Sequence, residues 1–450
     1  MISFTGKEIS EITNGRLIKD FIGNDFSIDS RLVKKGDIFL ALPGASVDGH
    51  NFIKSALTAG ANGVIAKFRP EGVDENAPLI LVDDVKSALL QLANYKRQNT
   101  DAVFIAVTGS VGKTSTKEML KLALGAHGET FVTFGNYNND LGVPICMASI
   151  SKNTKYVVLE AGMNNPGEIT HLSRLIQPNI AIITSVEPVH LWTFKNVAEI
   201  AHEKSTIIDS AYPGAVAIIN AKSKEFGQLK AHIDSKKIKT IIIGLGLDAE
   251  ILSQEIIDGA IELKARIFDQ FVQYKLSHTA EQQIINSLFS LIVASLLKLD
   301  LEKSAKALYD FKPTKGRGEV TKLKSGQILI DDSYNANPAS LGAAFENLAN
   351  YQGRKLAIVA DMRELGDNSK QLHRELYRED LFKKFDGIVA MGEMMRYFYE
   401  LLPTDLQKGY FISFDELQAN IAHLTKEYDI ILVKGSKGTG LYKIIADFSH

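Results

Sequence analysis

The chain has 450 residues, 45% hydrophobic and 23% charged, with a formal net charge of −2. At roughly 150 residues per domain this predicts a globular protein of about three domains. Near-neutral charge gives no field that would gather nucleic acid, so any anionic ligand must be held by local geometry. A single cysteine, Cys146, excludes a disulfide framework or a cysteine zinc site; it sits in the apolar stretch Val143–Met147 and reads as a small core residue.

The opening Met1-Ile2-Ser3-Phe4-Thr5-Gly6-Lys7-Glu8 lacks a basic segment followed by an apolar one, so no signal peptide is expected. The first segment, 1–98, offers short strands at Ile38–Ala41 and Gly63–Ala66, separated by turn-rich pieces, and a helix around Ala88–Arg97. The second, 99–312, carries apolar runs at Val103–Val107, Tyr156–Leu159, Ile180–Ile183, Val216–Ile219 and Thr240–Ile243, with helical stretches between several of them. Buried strands alternating with helices predict an α/β unit built on a mainly parallel sheet. Within it Ile284–Leu299 is interrupted by Asn286, Ser287, Ser290 and Ser295, too short and polar for a bilayer, and reads as a buried helix. The third segment, 313–450, repeats the alternation with strands at Ile328–Asp331, Leu356–Ala360, Gly387–Met391 and Ile430–Val433. Helices are expected near Ala339–Asn350, Gln371–Phe385 and Tyr442–Asp447, which makes a Rossmann-like unit. A soluble, cytoplasmic protein is the expectation.

The strand Val103–Val107 runs directly into Thr108-Gly109-Ser110-Val111-Gly112-Lys113-Thr114-Ser115. A glycine-rich turn between strand and helix points consecutive backbone N–H groups at a helix N-terminus, where phosphate is favoured. Lys113 supplies a charge for the β/γ-phosphates and the Thr114 hydroxyl can ligate Mg²⁺. The first glycine of the usual pattern would fall on Val107, so this is a shorter variant with Gly109 three before Gly112.

Downstream, Glu160 ends the strand Tyr156–Leu159, at the sheet edge where ligands bind, and Mg²⁺ prefers carboxylate oxygen. A lone glutamate there is also commonly a solvated or capping residue. His190 follows Ile180–Ile183, and by itself reads equally as a partly buried histidine with ordinary hydrogen bonds.

The Thr-Gly-Ser-Val-Gly-Lys-Thr-Ser run in this setting resembles the Mur ligases and their relatives, and the resemblance extends over nearly the whole chain. It implies a three-domain fold: an N-terminal UDP-sugar-binding α/β domain, a central P-loop ATPase domain with a mainly parallel sheet, and a C-terminal Rossmann-like domain. It implies ATP, with Thr108, Gly109, Ser110, Val111, Gly112, Lys113 and Thr114 on the phosphates, and Mg²⁺ at two sites. The metal ligands it implies are Thr114, Glu160, His190 and Lys204, the last carbamylated in the family. Lys113, Glu160, His190 and Lys204 would then be the catalytic set. Thr206 stands where the family usually has a glutamate two residues after the lysine.

Gly135–Pro144, with Asn138, is similar to the family's substrate-lining segment. Asn286 falls where an adenine-contacting asparagine is usual, although Ala280 and Gln282 replace the glycine and histidine that normally precede it. Lys315-Gly316-Arg317-Gly318 resembles the junction whose arginine touches nucleotide phosphate; a surface arginine in a linker is the plainer reading of Arg317. Asp332 ends a strand and is suited to ribose hydroxyls. The run Asp332-Ser333-Tyr334-Asn335-Ala336-Asn337-Pro338 has the form carried by the family member that adds D-alanyl-D-alanine, with Asn335 on the substrate side. Ala360-Asp361-Met362-Arg363-Glu364-Leu365-Gly366 followed by His373, and Val433-Lys434-Gly435-Ser436, fit the same member. Asp29-Ser30-Arg31 resembles its UDP-sugar segment and implies Ser30 and Arg31 as UDP contacts; without the resemblance Arg31 reads as a solvated turn residue.

The implied reaction joins D-alanyl-D-alanine to UDP-N-acetylmuramoyl-tripeptide through an acyl phosphate, in a monomer with small-molecule substrates and no membrane insertion. Two other readings stand beside it, another Mur-type ligase and a P-loop NTPase that is no ligase.

Overall fold

The computed structural model describes residues 4–44, 47–257, 260–277 and 280–448; the Met1–Ser3 opening of the leader reading lies outside them. Among these residues three large sheets carry the chain. The first has the order Arg16–Leu17, Leu79–Leu81, Gly63–Ala66, Ile38–Leu40, Phe26–Ser27, parallel except for its first pair. The helix Val85–Gln98 covers it, starting where the Asp84 side chain accepts from Ser87 N–H. Ile145 and Ala148 from the second segment complete this core, and Lys96 Nζ donates to the Ile150 carbonyl at 2.6 Å.

The second sheet runs Thr130–Val132, Tyr156–Glu160, Val103–Thr108, Ile180–Ile183, Val216–Asn220, Lys239–Ile243, and this part is parallel. Alternate residues face opposite cores, as a sheet covered on both sides requires. Ile105, Val107 and Val158 pack with Met119 and Leu120, while Phe104, Ala106 and Val157 pack with Cys146 and Met147. The sheet then continues through three strands not foreseen, Ala249–Ile257, Ala260–Ile267 and Gln270–Leu276, which form an antiparallel meander. The helix Glu281–Leu296 is buried as expected; Ser287 and Ser290 are inside it, bonding the carbonyls of Ile284 and Asn286.

The third sheet has the order Glu319–Lys322, Ile328–Asp331, Ile430–Lys434, Lys355–Ala360, Gly387–Met391, Gln407–Phe411, parallel beyond its first pair. The helix Pro338–Ala349 begins where the Asn337 side chain accepts from Ser340 N–H with proline in the first turn. The expected helix at Gln371–Phe385 is two short ones, Ser369–Arg374 and Glu379–Phe382, and the last turns, Leu441–Phe448, are 3-10. Among the described residues no helix is long and apolar enough to cross a membrane.

Candidate active site

The carboxyl ends of the second and third sheets face a cleft of about 1370 Å³. On one wall the strand Val103–Thr108 ends in a loop that only glycine can make at two points. Gly109 has φ 146° and a Cβ there would lie 2.0 Å from Thr184 Oγ1; Gly112 has φ 90° and its Cβ would meet Asn286 Oδ1 at 2.9 Å. Ser185 holds the loop through backbone and side chain, with Ser110 N–H donating to its carbonyl and Val111 N–H to its Oγ, each at 2.9 Å. The helix Lys113–Gly125 then opens with no side-chain cap, which leaves its first-turn amides for a phosphate oxygen. Lys113 Nζ reaches back 2.6 Å to the Gly109 carbonyl, and burial pushes its amine below the ordinary lysine range.

Beside the loop, Thr114 Oγ1 donates to Glu160 Oε2 and Asn138 Nδ2 to Glu160 Oε1, each at 2.9 Å, while Glu160 N–H donates to Thr133 Oγ1. Glu160 is 2% exposed, its carboxylate held by two side chains and its backbone N–H by a third. Hydroxyl and carboxylate oxygens side by side at a phosphate loop are the hard donors Mg²⁺ takes, so this pair fits one ion. Among the described residues no three His, Cys, Asp or Glu side chains cluster closely enough to hold a metal by themselves.

Lys204, on the helix Val197–Ser205, is 2% exposed and does not line the cleft. Burial, and then the Lys113 charge, drive its amine well below the usual range, so it is held towards the neutral form. Its neighbour Glu203 accepts from Gly167 and Ile169 N–H.

His190 lines the cleft with φ 56°, and its Nδ1 lies 2.8 Å from Glu364 Oε2 of the third segment. At that distance the ring and the carboxylate are in polar contact, with Nδ1 off line for an ideal hydrogen bond. Hydrogen-bonding contact with the His190 ring, more than charge, holds the Glu364 carboxyl below its usual range.

On the opposite wall, the Arg317 guanidinium stacks 4.1 Å over the Tyr334 ring. Asp332 Oδ2 pairs with buried Lys434 Nζ at 2.7 Å, and the same ammonium donates to the Asn335 carbonyl.

The cleft therefore gathers Ser110, Val111, Gly112, Lys113, Asn138, Glu160, His190, Arg317, Asp332 and Asn335. Thr108, Gly109 and Thr114 lie just behind its surface, Thr114 through Glu160. Asn286 is fully buried behind Gly112, with its amide bonded to Gln282 and Gln283, and it is these two glutamines that face the cleft. The substitution of Gln282 for the family's histidine was the available signal, since positions four apart share a helix face. Glu364 and Glu187 were also missed; burial raises the Glu187 carboxyl. Ser30 and Arg31 belong to the first segment and are not in this cleft; Arg31 is exposed and paired with Asp29 at 2.6 Å.

Three family models match the chain: "Mur ligase family, catalytic domain" over 25–97, "Mur ligase middle domain" over 107–294, and "Mur ligase, glutamate ligase domain" over 316–437. A UDP-N-acetylmuramoyl-tripeptide–D-alanyl-D-alanine ligase from Rickettsia prowazekii is 36% identical over 94% of each chain. The crystal structure of MurF from Acinetobacter baumannii superposes with TM-score 0.85 at 31% identity, covering 99% of this chain and 98% of that one. MurF ligase from Thermotoga maritima, solved in complex with ADP, gives 0.78 at 27% identity over 94% and 97%. The chain belongs to the Mur ligase family.

Proposed function

We propose that this chain joins D-alanyl-D-alanine to UDP-N-acetylmuramoyl-tripeptide, converting ATP to ADP and phosphate. The observation that carries the proposal is that full-length relatives with this activity in their names share the whole three-unit chain, and the cleft offers a phosphate loop facing Arg317, Asp332 and Asn335. The other ligase reading rests on weaker likeness: the ligase for 2,6-diaminopimelate superposes with TM-score 0.52 at 18% identity, a likeness of fold alone.

The domains are taken as 1–98, 99–312 and 313–450, binding the UDP-muramyl-peptide, ATP and the incoming dipeptide side respectively. A carboxylate resists an amine because its charge is delocalised and its leaving group poor. A carboxylate oxygen of the tripeptide therefore attacks the γ-phosphorus, ADP departs, and the amine of the dipeptide displaces phosphate from the acyl phosphate. Lys113 and the loop amides hold the transferred phosphoryl charge. Gln282 and Gln283 face the nucleotide, Asn286 backs Gly112, and Asp332 accepts from the ribose. Arg317 brings a charge from the third unit to the phosphates. Thr114 and Glu160, with His190 as the family resemblance implies, would hold Mg²⁺, which would neutralise charge on the phosphates. The Lys204 amine, held towards neutrality, is disposed to add CO₂ and become a carbamate anion suited to a second ion. Ser30 and Arg31 take the uridine diphosphate. The enzyme works as a cytoplasmic monomer in peptidoglycan precursor synthesis.

The test is phosphate release with ATP, Mg²⁺ and D-alanyl-D-alanine, offering UDP-muramyl dipeptide and tripeptide separately, with mass spectrometry of the products. Pentapeptide from the tripeptide alone is expected. Phosphate release independent of both acceptors would transfer the case to a non-ligase NTPase.

A further inference from the structure

Where the second unit touches the third, two non-glycine residues are held in the left-handed region: His190 at φ 56° and Glu364 at φ 66°. Such backbone is costly for L-residues and persists where the surroundings over-determine it, most often at functional sites. Here the two are tied to each other. Leu191 N–H donates to the Glu364 carbonyl at 2.9 Å, and Glu364 Oε2 sits 2.8 Å from His190 Nδ1. Gly366, two residues on, comes so close that a Cβ would lie 3.0 Å from the Leu191 carbonyl oxygen. Both side chains line the cleft, and the His190 ring is only 21% exposed. With Nδ1 turned to the carboxylate, Nε2 is the nitrogen left for the cleft.

We propose that Glu364 is a positioning residue that clasps the third unit onto the second and fixes the His190 ring, so that closing the cleft and presenting Nε2 are one event. The proposal rests on the reading that His190 serves the ligation. An exposed ion pair alone would contribute little. This one is set by two strained backbones and a main-chain bond across the boundary, so its side chain selects a geometry. Carboxylates that orient a working histidine typically carry about 10- to 100-fold of its effect.

The chain supplies its own reporter, because its single tryptophan, Trp192, is two residues from His190, lines the same cleft and is 63% exposed. Glu364→Gly removes the carboxylate, keeps the carbonyl that accepts from Leu191, and relieves the left-handed strain. It is expected to melt no lower than the wild type while kcat falls about tenfold or more, with KM for ATP within about twofold. A non-hydrolysable ATP analogue with Mg²⁺ is expected to change Trp192 emission in the wild type and to leave it unchanged in this variant. Glu364→Gln, which retains a polar partner of the same length, should recover most of kcat and the emission change. Should the glycine variant fail to fold, Glu364→Asn tolerates the backbone and is too short to reach His190, and it carries the same expectation. Wild-type kcat and a wild-type Trp192 response in the glycine or asparagine variant, alongside an inactive His190→Ala, would overturn the clasp and leave the ligase reading standing. A fully active His190→Ala would instead overturn the role of His190 on which the clasp depends.

Discussion

Lys113 bends back onto its own loop, 2.6 Å from the Gly109 carbonyl, so its ammonium already sits over the turn that would cradle phosphate. Burial disfavours the charge there, so a charged lysine at this point costs stability rather than adding it. Lys113→Met is therefore expected to melt within a few degrees of the wild type while kcat falls about 10²- to 10³-fold, the effect of removing one preorganised charge-stabilising donor. Steady-state kinetics beside a thermal melt check it; a loss of only a few-fold would remove Lys113 from the phosphoryl transfer. Cys146 behaves in the opposite way. Burial pushes its thiol up to about 12, and its side chain is fully enclosed. Native protein at pH 8 should react with a disulfide reagent only at the rate of unfolding; prompt labelling would contradict its place in the core. At this scale the sequence was most informative where chemistry demands a residue type at a fixed offset. Thr114, Asn138 and Glu160 were legible as motif positions and meet within hydrogen-bonding distance. The choice among Gln282, Gln283 and Asn286 was not, because all three lie within five residues of one helix and only its packing decides which face the cleft.

The segment from Asp361 to Glu364 is held from behind by His373 on the short helix Ser369–Arg374. Its Nε2 accepts from Met362 N–H at 3.0 Å and its Nδ1–H donates to the Ser369 carbonyl at 2.7 Å, which uses both nitrogens of the neutral ring. Burial lowers its pKa. The unfolded chain therefore binds more protons than the folded one as pH falls, and the contribution of His373, whole above the unfolded value of about 6.5, is lost as pH falls through and below it. Thermal melts from pH 8 to 5 should show a steeper acid loss in the wild type than in His373→Gln; parallel curves would refute the assignment. The meander at 249–276 is the element the sequence reading passed over. Ala260–Ile267 alternates buried and less buried positions, the period-2 pattern of a half-covered strand. An expectation of fully buried parallel strands looks for continuous apolar runs and steps over that alternation.

At the scale of the whole molecule the three units were legible because each repeats the same grammar of apolar strand, turn and helix, and each has its own buried clusters. The placement of one unit against another was not legible, since it depends on side chains far apart in sequence, such as Lys96 on the Ile150 carbonyl and Glu364 on His190. The nucleotide should bridge the second and third units, because the phosphate loop lies on one wall and Arg317, stacked on Tyr334, on the other. A ligand that binds only the native form stabilises what it touches, by about 2.7 kcal/mol at a concentration 100 times its Kd. In calorimetry a non-hydrolysable ATP analogue with Mg²⁺ should therefore raise the transitions of both units, and draw them together where they are separate. Arg317→Ala removes the contact from the third unit's wall and leaves the loop intact, so the central transition should still rise while that of the third unit stays at its ligand-free position. If both transitions rise in the variant as they do in the wild type, Arg317 is a surface residue of the junction and closure is driven from elsewhere.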